Sequence, residues 1–507
     1  MPDLKNIVKK GEKLSNSKSF IDALWSEAQE VDNLTRTVVD KVKSHLGLQR
    51  FSRSKYNSNA KVILLNLFIT HEVKSNKYLA YSRDANWFNE SRYRSANTGY
   101  DVYIKIVDIL IELKYVTNNK GFYSVSTGMR SRMRATPKLV KLFKAHNITT
   151  AMVTRNEEEE VIILRKTKDK DGYKETIDYK DTDTINQMRS NLAKINDLLA
   201  NTWIDLEVPD TTLVDINEHL ERKKDKQPID FTRRKLKRIF SNSSFEQGGR
   251  FYHGWWQEIP SEYRKYITIN GKRTREMDYA GIHIRMMYAM EGEELRDDFD
   301  PYKLKDYSSY RKQVKQALNT IINAKTKRAA IGSIADKLTL PKGRDANDLY
   351  KQLEQMHPKI KRYFGTGEGI KLQRLDSKVA EIVMLKLLEQ GIVALPVHDS
   401  FIVRRSHMID LNPIMREAFK QVVKVKGVMD LKELRPDATL INQKNKLLVE
   451  DQEQFPGIKE PFDSKDMWEI INNNEYKEFQ KREAEWYKNS RTRDNKTTTT
   501  EVSGGSA

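Results

Sequence analysis

Asn270-Gly271 stands between two runs of alternating residues, Tyr266-Ile267-Thr268-Ile269 and Lys272 through Met277. Both turn positions tolerate positive φ, so this dipeptide between alternating strands is the strongest short-range signal for a tight β-hairpin. The returning strand then ends at Asp278. Ala280-Gly281 lets the chain pass directly into a helix with Ile282, Met286 and Ala289 on one face. A carboxylate at such a junction is pre-positioned, partly exposed and accessible to a metal ion.

A second hairpin is legible downstream. Apolar runs from Ile392 to Val397 and from Phe401 to Val403 flank His398-Asp399-Ser400, which puts Asp399 at a turn. The helix expected ahead of it, Asp376 to Gln390, turns Val379, Ala380, Val383, Met384, Leu387 and Leu388 inward and has Gly391 as its C-cap. A lone aspartate at a turn is far more often a turn former than a ligand. Two of them on apolar hairpins are a different matter, because two divalent ions about 4 Å apart need carboxylates on adjacent strands to bridge them.

Between the hairpins lies RKQVKQALNTIINA. Arg311, Lys315, Asn319 and Asn323 recur every four residues on one helix face, with Val314, Leu318, Ile321 and Ile322 on the other. A cationic pair one turn apart can grip a triphosphate. Standing alone, the same helix would read as a basic amphipathic surface helix.

Composition narrows the partner and the metal. Lys and Arg number 90 against 71 Asp and Glu, a formal charge of +19, which favours a polyanion such as nucleic acid. A soluble basic protein without such a partner has the same composition. The chain has no cysteine, so disulfides, thiolate nucleophiles and cysteine-bound zinc are excluded, and any metal must sit on oxygen or imidazole. The N-terminus lacks a signal-peptide run and no stretch reaches membrane-spanning length, so the expected location is cytoplasmic, with no membrane partner.

The 507 residues allow two or more domains at roughly 100–200 residues each. Residues 1–59 read as a helical lead-in. Residues 60–150 read as a basic, mainly helical module with a winged-helix layout: helices, a short strand, a turn and a basic strand. That layout puts Arg130, Arg132 and Arg134 on the wing, and Arg83, Arg92 and Arg94 near a recognition helix. An ordinary α+β domain with a solvated basic loop fits equally. Residues 151–230 read as a hairpin, VIILRK against YKETIDY, and a thumb-like helix with Ile185, Met188, Leu192, Ile195 and Leu199 on its seam. Residues 231–430 hold the motifs, and 431–507 form a charged extension with one helix from Ser464 to about Asn489 and a disordered tail.

The three segments, in this order, resemble motifs A, B and C of the family A DNA polymerases (the DNA polymerase I kind) and their relatives, the phage-type single-subunit RNA polymerases. DYAGIHIR is similar to motif A, RKQVKQALNTIINA to motif B and VHDSFIV to motif C, the most specific of the three. SNSSFEQGGRFYHGWWQEIP is similar to the stretch ahead of motif A. The resemblance covers roughly residues 230–425 and implies an α+β right-hand fold: an antiparallel palm sheet, with helical fingers (about 296–372) and thumb. It implies that Asp278 and Asp399 hold two Mg²⁺ ions, with Mn²⁺ as a substitute, and that the Tyr279 carbonyl is a further ligand. It assigns Arg311 and Lys315 to the triphosphate, Asn319 and Asn323 to sugar or base, and Arg250, Gln257 and His398 to the primer-template. Asp376, with Gln373 as the alternative, falls near the family's duplex-contacting glutamine.

The departures concern the sugar. His283 stands where the DNA enzymes usually have Glu and the RNA enzymes Gly, and Asn323 and Asn319 replace aromatic residues of motif B. These changes remove stacking surface and imply altered sugar selection or relaxed fidelity. No exonuclease-like acidic constellation is present in the N-terminal half, so proofreading is not expected. The implied activity is template-directed DNA synthesis from dNTPs, as in a phage, plasmid or other mobile element. The alternatives are an RNA polymerase or primase on the same fold, or a catalytically inactive nucleic-acid-binding protein of replication or defence.

Overall fold

Alternation about Asn270-Gly271 produces the hairpin that organises the larger half of the molecule. In the computed structural model the strands Ile267–Ile269 and Lys272–Asp278 are antiparallel, and both turn residues take positive φ, 48° and 68°. The structure describes residues 17–423, apart from 20, 22, 48–50, 90, 95–96, 124–127, 157, 171, 224–226 and 297–298. The expectations for residues 1–16, the wing turn and the 431–507 extension lie outside the described residues.

Around that hairpin forms a five-stranded antiparallel sheet in the order Ile204–Leu206, Ile267–Ile269, Lys272–Asp278, Ser400–Arg404, Leu395–Val397. A second sheet places Lys237–Ser241 between Ser244–Tyr252 (antiparallel) and Ile162–Leu164 (parallel). The 160–180 hairpin is therefore only half of the story: VIIL pairs with YKETIDY through an Arg165 to Thr176 bridge and also joins this sheet.

The helix Gly369–Glu389 lies against Ser244–Tyr252 on one side and the helix Met408–Val423 on another. Its Leu372, Val379, Val383 and Leu387 are fully buried, each stabilising the fold by roughly 1.5–3 kcal/mol relative to exposure. It ends as its sequence requires, with Gly391 at φ 67° and its N–H on the Leu388 carbonyl at 2.9 Å. The helix Asp183–Ala200 buries the anticipated Ile185, Met188, Leu192, Ile195 and Leu199. It packs on Gly369–Glu389, and its Asn196 exchanges hydrogen bonds with the backbone of Leu236. It thus belongs to the same core as the sheet. Helices Arg311–Asn323, Lys327–Lys337 and Ala346–Met356 pack on one another at the far side.

The N-terminal residues have their own core, running from Leu24 to Val153, whereas the other core starts at Val161 and ends at Phe419. No lead-in stands apart from this module. The helix Gln29–Leu46 buries Val31, Leu34, Val38 and Val42 in the same core as Arg53–Val73, which crosses residue 59, and Tyr100–Glu112. These helices cover a sheet ordered Ser17–Ser19, Tyr78–Tyr81, Ser131–Ala135, Val116–Asn119, in which only the first pair is parallel. Ion pairs tie the two halves together: Lys18 with Asp230, and Lys74 and Lys77 with Glu221. The whole is an α+β protein. Among the described residues no helix is long and apolar enough to cross a membrane.

Candidate active site

Ladder register decides how close the two aspartates come. Lys272–Asp278 and Ser400–Arg404 are antiparallel with Met277 opposite Phe401 and Asp278 opposite Ser400. Ser400 also pairs with Val397 across the two-residue turn His398-Asp399. Asp278, exposed at its strand end, is therefore the cross-strand neighbour of the residue that follows Asp399. Neither carboxylate depends on a flexible loop for its position.

The turn itself is braced from behind. His398 takes φ 60° and is exposed, and its ring meets the Tyr252 ring edge-on at 5.9 Å. The Pro396 carbonyl, two residues before it, accepts hydrogen bonds from Trp256 Nε1 at 3.1 Å and Gln257 Nε2 at 2.8 Å. Gln257 Nε2 also reaches the Phe251 carbonyl, and its oxygen accepts from Gly254 N. Both ends of the amide are thus engaged within the chain, and Gln257 braces the Asp399 hairpin.

Glu276, two residues before Asp278, is held by Arg264 through two hydrogen bonds of 2.6 and 2.9 Å and accepts the Ser400 hydroxyl at 2.5 Å. It is engaged in the sheet and does not add a third acidic ligand. Among the described residues no group of three or more His, Asp or Glu side chains is arranged to hold a metal. The oxygens here that could hold a metal are the two carboxylates and the neighbouring Tyr279 carbonyl. Hard oxygen donors in that small number suit Mg²⁺, which keeps several waters and substrate oxygens in its shell. The Tyr279 side chain is buried and donates to the Met415 carbonyl at 2.7 Å, fixing the backbone beside Asp278.

Tyr302 links this pair to the cationic helix. Arg311 lies over its ring at 5.2 Å and Lys315 at 5.8 Å. Burial pushes its phenol up to about 12; Arg311 opposes the rise, and the Asp300, Asp399 and Asp278 carboxylates add to it. Arg311 and Lys315 thus share one aromatic face, and the charges of Asp278 and Asp399 act on the same phenol. Gly281, with φ 66°, keeps the approach open, since a Cβ there would stand 3.3 Å from the Tyr302 hydroxyl. Arg311 is clasped by Asp300 through hydrogen bonds of 2.6 and 2.8 Å. Asn319 and Asn323 are exposed, with Asn323 Nδ2 bonded to the Asn319 carbonyl, while its side-chain oxygen abuts Gly369. Sequence reasoning missed Tyr302 and Asp300. DPY just before the cationic helix was the available signal.

His283, Arg250 and Asp376 form a cluster of their own. Asp376 is 2% exposed, and its carboxylate accepts from Arg250 Nε at 3.0 Å, from the same guanidinium's Nη2, and from His283 Nε2 at 2.8 Å. Burial works to lower the Arg250 pKa, but the Asp376 carboxylate outweighs it and raises the guanidinium above its ordinary value. The duplex contact expected of Asp376 is corrected by this geometry, because a buried, fully engaged carboxylate cannot reach a groove. Gln373, half-buried one turn earlier, is the more accessible of the two. Nearby, fully buried Arg238 joins Glu381 at 2.7 Å, the Gly249 carbonyl at 3.0 Å and Ser377 at 3.2 Å, pinning the helix to the sheet.

In the N-terminal module Arg130 is exposed, but Arg132 is buried and Arg134 half-buried, both against the Tyr78 ring. Arg132 is therefore withdrawn from the basic surface: residues two apart on a strand share a face, and this face turns toward Tyr78. Arg83 bonds Asp108, Arg92 bonds Asp178 and Asp181, and Arg94 stacks on Trp87 at 3.5 Å, so these three are engaged within the chain.

No family model matches the chain, and no curated protein matches it significantly.

Proposed function

We propose that the protein is a template-directed DNA polymerase of the family A kind, which extends a primer from dNTPs by two-metal phosphoryl transfer. The observation that carries this reading is the pairing of Asp278 with Ser400, which brings the strand end that bears Asp278 against the turn that bears Asp399. The convergence of Arg311 and Lys315 on Tyr302, whose phenol also feels the charges of Asp278 and Asp399, supports it.

When bound, two Mg²⁺ ions supply activation of the primer 3′-hydroxyl and neutralisation of the leaving pyrophosphate. Asp278 and Asp399 hold them, with the Tyr279 carbonyl. Arg311 and Lys315 present positive charge one helical turn apart to the triphosphate, with Arg311 exchanging Asp300 for phosphate. Asn319 and Asn323 lie further along the same exposed face toward sugar and base. The palm is the five-stranded sheet, the fingers the three helices from Arg311 to Met356. The N-terminal helices with their antiparallel strands support a winged-helix-like nucleic-acid module in which Arg130 is the accessible wing arginine.

The test is Mg²⁺-dependent extension of a labelled primer-template by wild type, Asp278→Ala and Asp399→Ala, with dNTPs and rNTPs supplied separately. Wild type should extend with dNTPs and both variants should not. Extension by neither, or variants equal to wild type, overturns the reading; extension with rNTPs alone replaces it by RNA synthesis on the same fold.

A further inference from the structure

The segment Arg165 to Thr176 leaves the second sheet as a hairpin that the catalytic reading does not use. Its stem is ordered by hydrogen bonds from Lys166 N to the Glu175 carbonyl at 2.8 Å and from Ile177 N to the Leu164 carbonyl at 3.0 Å. Its tip is closed by Asp169, whose side chain accepts from Tyr173 N at 2.7 Å and whose carbonyl accepts from Gly172 N at 3.1 Å.

What this stem carries is unusual for a structural turn. Tyr173 is 65% exposed, among the most exposed large apolar side chains described. Lys166 is paired with Glu175 at 2.8 Å, but among the described residues Arg165, Lys168, Lys170 and Lys174 have no ion pair. Lys174 reaches only the neutral Ser241 hydroxyl at 3.4 Å, and Arg165 Nε is enclosed without a hydrogen-bond partner. Burial lowers the Lys174 pKa, and the charges of Lys168 and Arg165 lower it further. Gathering like charges costs stability unless a polyanion offsets it. Cations beside an exposed ring are the combination that holds a nucleic-acid strand, phosphates on the charges and a base on the π-face.

The hairpin is anchored in the sheet that carries Tyr252: Arg165 N donates to the Phe240 carbonyl at 3.1 Å, and the Tyr252 ring packs on His398 next to Asp399.

We propose that the 165–176 hairpin is a clamp for single-stranded nucleic acid, with Arg165, Lys168, Lys170 and Lys174 on successive phosphates and a base stacked on Tyr173. That the held strand continues past Tyr252 to the catalytic turn rests on the polymerase reading; the clamp itself does not.

The experiment uses the full chain without Mg²⁺ or nucleotides, measuring anisotropy of a labelled DNA single strand of about 16 nucleotides and of the matching duplex across a salt series. The triple variant Lys168→Gln, Lys170→Gln, Lys174→Gln should bind the single strand more weakly, with a log K against log salt slope shallower by about 2. Tyr173→Ala should weaken single-strand binding about fivefold or more. Both should melt like wild type, since these side chains lie outside the core, and the same losses should appear in an Asp278→Ala background. Wild type that does not bind the single strand overturns the clamp, as do variants that match wild type or lose only duplex affinity. Because catalysis is not read, a failed clamp and a failed polymerase give different results.

Discussion

His283 Nε2 lies 2.8 Å from the Asp376 carboxylate, which also binds Arg250, so one buried acid fixes a side chain from the helix Ile282–Met290 and one from the strand Ser244–Tyr252. His283 follows Asp278 by five residues, and its orientation is set by a residue 93 positions away.

Asp376→Ala leaves a guanidinium and an imidazole facing a void, and should destabilise the protein by about 3–5 kcal/mol in urea denaturation. Asp376→Asn keeps volume and one acceptor and should cost less. His283→Ala should cost less stability than Asp376→Ala while changing the ratio of dNTP to rNTP incorporation in primer extension.

Gln257→Ala removes one of two donors to the Pro396 carbonyl and should lower stability by about 1–2 kcal/mol, with Trp256→Phe causing a comparable loss through the other donor. Extension should fall with both as the Asp399 turn loosens. A primer-template contact would instead show lower DNA affinity at unchanged stability, and paired melting and anisotropy measurements separate the two.

Tyr302→Ala removes the ring under Arg311 and Lys315 and should raise KM for the nucleotide several-fold with a smaller change in kcat. Gly281→Ala, forcing an alanine to φ 66° against the Tyr302 hydroxyl, should destabilise by roughly 1–2 kcal/mol, read by thermal melting.

Acid should unfold the junction between the two cores. Burial acts to raise the Asp230 pKa, but Lys18 and the Thr232 hydroxyl outweigh it and hold the carboxyl down to about 2. A depressed carboxylate contributes stability that is complete above its ordinary pKa near 4 and is lost as pH falls from there toward 2. Burial also lowers the Lys18 pKa from its ordinary 10.5, but that linkage acts on the alkaline side, below 10.5 and above the lowered value, so the acid decline belongs to Asp230. Asp230→Asn should flatten the decline between pH 4 and 2 in denaturation midpoints.

Local chemistry made much of this molecule readable. Asn270-Gly271 specified its turn because both residues accept positive φ, and the spacing of Ile185 to Leu199 specified a buried helix face because helical period and burial coincide. The position of Asp278 at a strand end and of Asp399 in a tight turn followed from the same hairpins. A lead-in ending at residue 59 was misread, since a polar, weakly periodic stretch gave no sign that Gln29–Leu46 shares a core with later helices. Likewise a run of alternating arginines reads as a charged surface, and only the packing of Tyr78 shows that Arg132 is turned inward.

The sequence by itself therefore determined the two hairpins, the cationic helix face and the positions of the carboxylates along the chain, because each depends on backbone preferences and periodicities within a few residues. Tertiary structure alone decided that Asp278 pairs with Ser400, that Tyr302 lies under both Arg311 and Lys315, and that Asp376 is spent on Arg250 and His283. Those relations depend on strand register and on which charges lose their water together, and burial and pairing between residues far apart in the chain are fixed only when the core closes.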